Sequence, residues 1–306
     1  MKRTNTYLTA PLFIVVAAAL WALDGIIRRS LYTLPPSVIV LYEHVIGTLF
    51  ILPFFIPRMR NHRLTRREAG VIAIIALFSG VAGTIMFTAA LQAVNYISFS
   101  VVFLLQKLQP VFAIASSYIL LKEPIRKSYI KWAVLAVIAA YFVTFPTGTV
   151  NLNTGSGTVI AALLAFGAAA VWGSATSLSK MALAKMDSVT VAGWRFLFTI
   201  PMAFIAVFVL KGQQALLSPT PVQWLLFAAI ALSTGMVGLV LYYKGLKHTR
   251  VQISTMLELT FPLLAIGIDA VMYHSFLSPV QWIGAIALMF AMYRIALLNA
   301  PAIDHA

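Results

Sequence analysis

Long apolar runs alternate with short polar breaks along the whole chain. Ten runs are legible, over residues 9–27, 36–56, 69–90, 98–120, 129–146, 157–179, 188–210, 221–243, 251–272 and 279–298. Each has roughly 18–23 residues, the length a helix needs to cross about 30 Å of hydrocarbon. The pattern predicts ten membrane helices, with 129–146 the shortest and a tilted or imperfect span. Pro35, Pro36, Pro57, Pro124, Pro219, Pro221 and Pro279 fall at or near run ends, where a helix start tolerates a missing N–H. The polar stretch 147–157, Thr-Gly-Thr-Val-Asn-Leu-Asn-Thr-Gly-Ser-Gly, is the most linker-like segment. It divides the chain into halves of five runs each, 1–148 and 149–306. The first run follows Met1-Lys2-Arg3 as a signal peptide would. It is too long for one, however, and Trp21, Asp24, Arg28 and Arg29 stand where a small-residue cleavage site belongs.

Composition sharpens this picture. Hydrophobic residues make up 61% of the 306 and charged residues 10%, against about 45–50% and about 25% in soluble domains. The chain has no Cys, which excludes a disulfide scaffold and a thiolate zinc site. A net charge of +14 would ordinarily favour nucleic acid. Here the basic residues sit between apolar runs, so membrane topology explains them and no nucleic-acid partner is expected.

With the N-terminus in the cytoplasm, sixteen Lys and Arg fall in inner segments. These are Lys2 and Arg3; Arg58, Arg60, Arg63, Arg66 and Arg67; Lys122, Arg126, Lys127 and Lys131; Lys180 and Lys185; Lys244, Lys247 and Arg250. Only Arg28, Arg29 and Lys211 fall outside. Short loops carry this bias reliably, so both termini are expected in the cytoplasm. The Arg58–Arg67 cluster is an orientation signal that also allows contact with anionic lipid.

The halves resemble each other. Trp21 matches Trp172 and Ser37-Val38 matches Ser188-Val189 at an offset of 151; Pro110 matches Pro262 at 152, and Trp132 matches Trp282 at 150. Two five-helix halves entering the membrane in opposite senses are a transporter architecture with a midplane site. The arrangement resembles the EamA-domain branch of the drug/metabolite transporter superfamily. The likeness rests on Ala19-Leu20-Trp21 and Ala170-Val171-Trp172-Gly173, on Trp194-Arg195-Phe196, on Leu104 to Ala115 around Pro110, and on Leu120-Leu121-Lys122-Glu123. It implies a central cavity between two inverted halves, and export of metabolites, amino acids or toxic compounds, with import by some members. The chain departs from that pattern at Glu43-His44, where many members carry an aromatic or apolar residue followed by Arg, and at Tyr273-His274-Ser275, which has no counterpart of Glu123.

Ionisable residues at membrane depth need a partner or a task. Glu43, beside His44 in the second span, suits a proton carrier or a structural ion pair. Lys107 lies near the middle of the fourth span between Gln106 and Gln109, just before Pro110. It either lines a wet cavity, contacting an anionic group of the substrate, or pairs with Glu43 or Glu258. Glu258 precedes Pro262 by four residues, as Gln106 precedes Pro110, so these repeat-related residues are expected to face each other. Glu258 is the leading cation or proton site, with Thr255 and Thr260 as wall candidates. Asp24 and Arg28 stand at i and i+4, which favours a local ion pair or an outer gate. Arg195 lies within snorkelling reach of the inner interface. Asp269 and His274 fall near the outer end of the ninth span. Trp21 and Trp172 serve cavity lining or helix packing. Tyr42, Tyr96 and Tyr243 are weaker aromatic candidates.

No phosphate loop and no His-Glu-x-x-His run occurs, which argues against an ATP-driven pump and a zinc protease. The sequence therefore reads as an all-α, multi-pass protein of the plasma membrane and a non-enzyme. It is expected to be a proton-coupled or gradient-driven exporter of small metabolites such as amino acids, working by alternating access. An uncoupled uniporter or channel is the main alternative and an intramembrane enzyme the lesser one. The expected partners are a small-molecule substrate, membrane lipid and protons as coupling ion. No cofactor is expected, and the chain is read as a monomer or weak homodimer.

Overall fold

The computed structural model describes residues 2–93, 106, 108–125, 127–144, 158–261, 264 and 278–298. Lys107, Tyr96, Pro262, Asp269 and His274 lie outside the described residues, as does Tyr273-His274-Ser275. Every described element is helical. Helix α1 covers Lys2–Arg29, α2 Pro36–Asn61, α3 Arg66–Ile75 and α4 Gly83–Ala93. They are followed by α5 Gln109–Leu121, α6 Lys127–Thr144, α7 Thr158–Leu183 and α8 Ser188–Val209. The last four are α9 Pro221–Ile230, α10 Met236–His248, α11 Val251–Leu257 and α12 Pro279–Leu297. Six helical segments among the described residues are long and apolar enough to cross a membrane. Their outer faces carry large apolar side chains, among them Leu163, Val209 and Ile283, each about 70% exposed, as contact with lipid tails requires.

Local chemistry sets many boundaries. Thr65 accepts from the Glu68 N–H while the Glu68 carboxylate accepts from the Thr65 N–H, a reciprocal cap that starts α3. Thr220 with Gln223 starts α9 the same way, and Ser278 with Gln281 starts α12. Asp187 caps α8 by accepting from the Val189 and Thr190 N–H groups at 3.0 and 3.2 Å. Partial burial works against that carboxylate, but its bonds to Thr190 and Val189 and the nearby Arg58 charge hold it below the usual carboxylate range. Pro110 lies in the first turn of α5. Gln106, just before it, is helical as well.

Two segments are continuous but not uniformly α. Residues Ala76–Ala82 join α3 to α4 by a π-helical turn, and Ala231–Gly235 join α9 to α10 likewise. A π turn holds one residue more than the α repeat and is frequent at functional sites.

The helices pack across the two halves. Helix α2 lies on α8, α1 on α10, α7 on α4 and α5, and α6 on α12. Small residues permit the closest approaches: a Cβ on Gly47 would stand 2.3 Å from the Phe196 ring, and one on Gly193 2.3 Å from the Phe55 ring. At one end of the bundle, Lys180 donates to the carbonyls of Leu246, Lys247 and Thr249 at 2.6–2.9 Å, satisfying the C-terminal end of α10. Nearby, Glu123 accepts from the Val251 N–H at 3.1 Å, and Gln252 Nε2 donates to the Glu123 carbonyl at 3.2 Å. Burial pushes the Glu123 carboxyl up, against the pull of the Val251 N–H and the Lys180 charge. This cluster fastens the end of α5 to the start of α11.

Candidate functional site

A cavity of about 220 Å³ lies between the helices. Trp21, Asp24, Glu43, His44, Gln106, Gln109, Trp172, Arg195 and Glu258 all line it. All nine were singled out from the sequence; Lys107, singled out with them, lies outside the described residues. Ser79, Thr84, Phe196, Thr234, Tyr242, Tyr243 and Thr255 complete much of the lining.

Four groups of side chains organise the wall. The first is an ion network. Arg28, 3% exposed, donates through Nε to Asp24 at 2.7 Å and through Nη2 to Glu43 at 3.1 Å. Asp24 also accepts from the Thr234 hydroxyl at 2.7 Å. The i, i+4 pairing of Asp24 and Arg28 was legible in the sequence. Its extension to Glu43 was not, and Arg28, counted there among the outer-loop charges, is buried because this carboxylate draws it inward.

The second group surrounds Glu258. Gln109 Nε2 donates to one carboxyl oxygen at 2.9 Å, and the Tyr242 hydroxyl donates to the other at 2.7 Å. Among the described residues Glu258 has no ion pair. Gln109, not the repeat-related Gln106, reaches across to it. Gln106 lines the cavity with its Oε1 unpartnered. Thr255 does so with its Oγ1 unpartnered, whereas Thr260 donates to the Leu257 carbonyl and does not line the cavity.

The third group is the pair of tryptophans. Trp21 Nε1 donates to the Thr234 carbonyl at 2.8 Å, and Trp172 Nε1 donates to the Ser79 carbonyl at 3.2 Å. Each indole thus meets the π turn of the other half, and each performs both tasks the sequence allowed, packing and lining. The Trp21 ring also lies 5.1 Å from that of Tyr242.

The fourth group is Arg195 and His44. Arg195 is 8% exposed with its Nε unpartnered. It does not snorkel to an interface but stays against the cavity. His44 packs its ring 4.8 Å from Phe196, and its Nδ1 lies 2.8 Å from the Val40 carbonyl. Tyr243 bonds Ser179 at 3.1 Å, and Tyr42, away from the cavity, donates to the Leu216 carbonyl. No cluster of residues suited to a metal occurs among the described residues.

A model of the EamA-like transporter family matches residues 8–145 and again 159–297. The chain belongs to that family. EamA-like character is repeated in both halves, and the apolar helices make the chain a multi-pass integral membrane protein of a bacterial plasma membrane. It is 32% identical over 298 residues to a protein of Fusobacterium nucleatum subsp. nucleatum named riboflavin transporter ImpX, covering 96% of this chain and 100% of that one. It is 24% identical to protein LicB of Haemophilus influenzae, covering 88% of this chain and 91% of LicB. A solved crystal structure, 18% identical, superposes with a TM-score of 0.76 over 97% of this chain and 99% of the other, a likeness of fold. The family match and the relative named as a transporter place the chain among transporters.

Proposed function

We propose that this chain is a proton-coupled secondary transporter for a planar, nitrogen-rich heteroaromatic solute of the flavin type. It would work by alternating access between two inverted five-helix halves, 1–148 and 149–306, with ten spans and both termini cytoplasmic. The observation that carries the substrate class is the lining of the cavity. Trp21, Trp172, Phe196, Tyr242 and Tyr243 supply aromatic faces, and Gln106, Thr255 and Arg195 supply polar atoms left without protein partners. Rings stack on a flat solute and convergent polar groups orient it. The relative named as a riboflavin transporter supports the same class. An amino acid was expected from a lysine facing two carboxylates. Glu43 is instead engaged by Arg28, which weakens that reading.

Glu258 is the proposed coupling group. Its partners Gln109 and Tyr242 are neutral donors, so the carboxyl can gain a proton without breaking an ion pair among the described residues. In proteoliposomes, riboflavin is expected to accumulate under an imposed pH gradient. Glu258→Gln should abolish that accumulation while retaining exchange of labelled for unlabelled riboflavin. Unchanged pH-driven accumulation in the variant would remove Glu258 from coupling. Wild-type transport that ignores the gradient would make the protein a uniporter.

A further inference from the structure

His44 and Arg195 occupy equivalent positions in the two halves, 151 residues apart, as Trp21 and Trp172 do. Helices α2 and α8, which carry them, pack directly on one another. Both side chains line the cavity, and the His44 ring rests on Phe196, the neighbour of Arg195. Their chemistry is complementary rather than alike. A backbone carbonyl only accepts, so His44 Nδ1, 2.8 Å from the Val40 oxygen, is the nitrogen bearing hydrogen. The neutral ring then offers Nε2 as an acceptor, and no described residue bonds it. Arg195 Nε–H is a buried donor without a partner, an expensive condition unless something arrives to satisfy it.

A donor and an acceptor supplied from two packed helices suit a ligand edge that sets an N–H beside a C=O. We infer that His44 and Arg195 read the imide edge of the solute, with the ring N–H donating to His44 Nε2 and the adjacent carbonyl accepting from Arg195 Nε. This rests on the flavin-type reading and adds which edge is recognised and by what. Arg at both positions would offer donors and no acceptor, and would not distinguish an imide from a plain diketone or carboxylate.

The test compares riboflavin with 3-methylriboflavin, in which the imide N–H is replaced by N–CH₃. Binding to the purified full chain is read by fluorescence. The wild type should bind the methylated compound at least about tenfold more weakly, since a site built around a ligand N–H rejects an analogue lacking it. His44→Phe should lower riboflavin affinity to the level of the analogue and leave the analogue's own affinity unchanged. His44→Gln, which restores an acceptor, should recover part of the difference. Arg195→Met should weaken both compounds, because both keep the carbonyl. Equal wild-type affinity for the two compounds overturns the imide assignment while the flavin reading stands. Discrimination that survives in folded His44→Phe overturns the role of His44. Absence of riboflavin binding by the wild type overturns the flavin reading and this inference with it. The wild-type comparison decides even where a variant fails to fold.

Discussion

The two halves place equivalent frameworks around the cavity and furnish them with opposite chemistry. At the offset of 151, Asp24, Arg28 and Glu43 of the first half correspond to Ala175, Ser179 and Trp194 of the second. The first half buries a connected ion network there. The second buries a serine hydroxyl, bonded to Tyr243, and an indole. The framework itself is shared. Trp21 and Trp172 each meet the other half's π turn, Gly83 and Gly238 each stand under an indole, and Thr65 and Thr220 each open the helix that leads to a π turn. Common features thus position the cavity, and the differences set what each side can bind.

The strongest way to break this comparison is to remove the charge on one side. Arg28→Met leaves Asp24 and Glu43 buried without their cation, a loss of about 3–5 kcal/mol. Ser179→Ala at the equivalent place removes one hydroxyl bond, about 1 kcal/mol. Thermal unfolding of the purified protein in detergent should rank them in that order, and similar losses would mean that the ion network is no more structural than its neutral counterpart.

The shared framework gives smaller and more nearly matched effects. Trp21→Phe should cost more than Trp172→Phe, both within about 1–3 kcal/mol. The Ser79 carbonyl keeps a second donor, the Thr84 hydroxyl at 3.0 Å, whereas the Thr234 carbonyl loses the donor that Trp21 provides. A reversed order in the same melts would show that indole packing outweighs the hydrogen bond. The least effect belongs to the caps: Thr65→Ala and Thr220→Ala should each cost about 1 kcal/mol. A pair that differs by more than the scatter of the measurement would show that the surroundings of α3 and α9 are not equivalent.

Much of the helical framework was legible because hydropathy is a one-dimensional signal. A run such as 188–210 has few ways to be satisfied except as a span, and helix α8 covers Ser188–Val209. The inward placement of Glu43 and Glu258 was legible for a related reason: an ionisable group in an apolar helix is driven toward the protein interior. Arg195 was read as reaching toward an interface, and it lines the cavity instead. What was not legible depends on the exact turn of a side chain or a single inserted residue. Glu258 meets Gln109 rather than Gln106. The π turns leave no mark in hydropathy, so Ser79 and Thr234 were passed over. One signal was present and unused: Thr65-x-x-Glu68 and Thr220-x-x-Gln223 are capping signatures in the sequence itself.

The π turns also tie the halves together. Ser79 and Thr234 stand 155 residues apart, as Gly83 and Gly238 do. Each turn offers a carbonyl to an indole of the opposite half, Ser79 to Trp172 and Thr234 to Trp21. A displacement of either indole from its turn therefore breaks a bond between the halves, so the two seams act as paired latches.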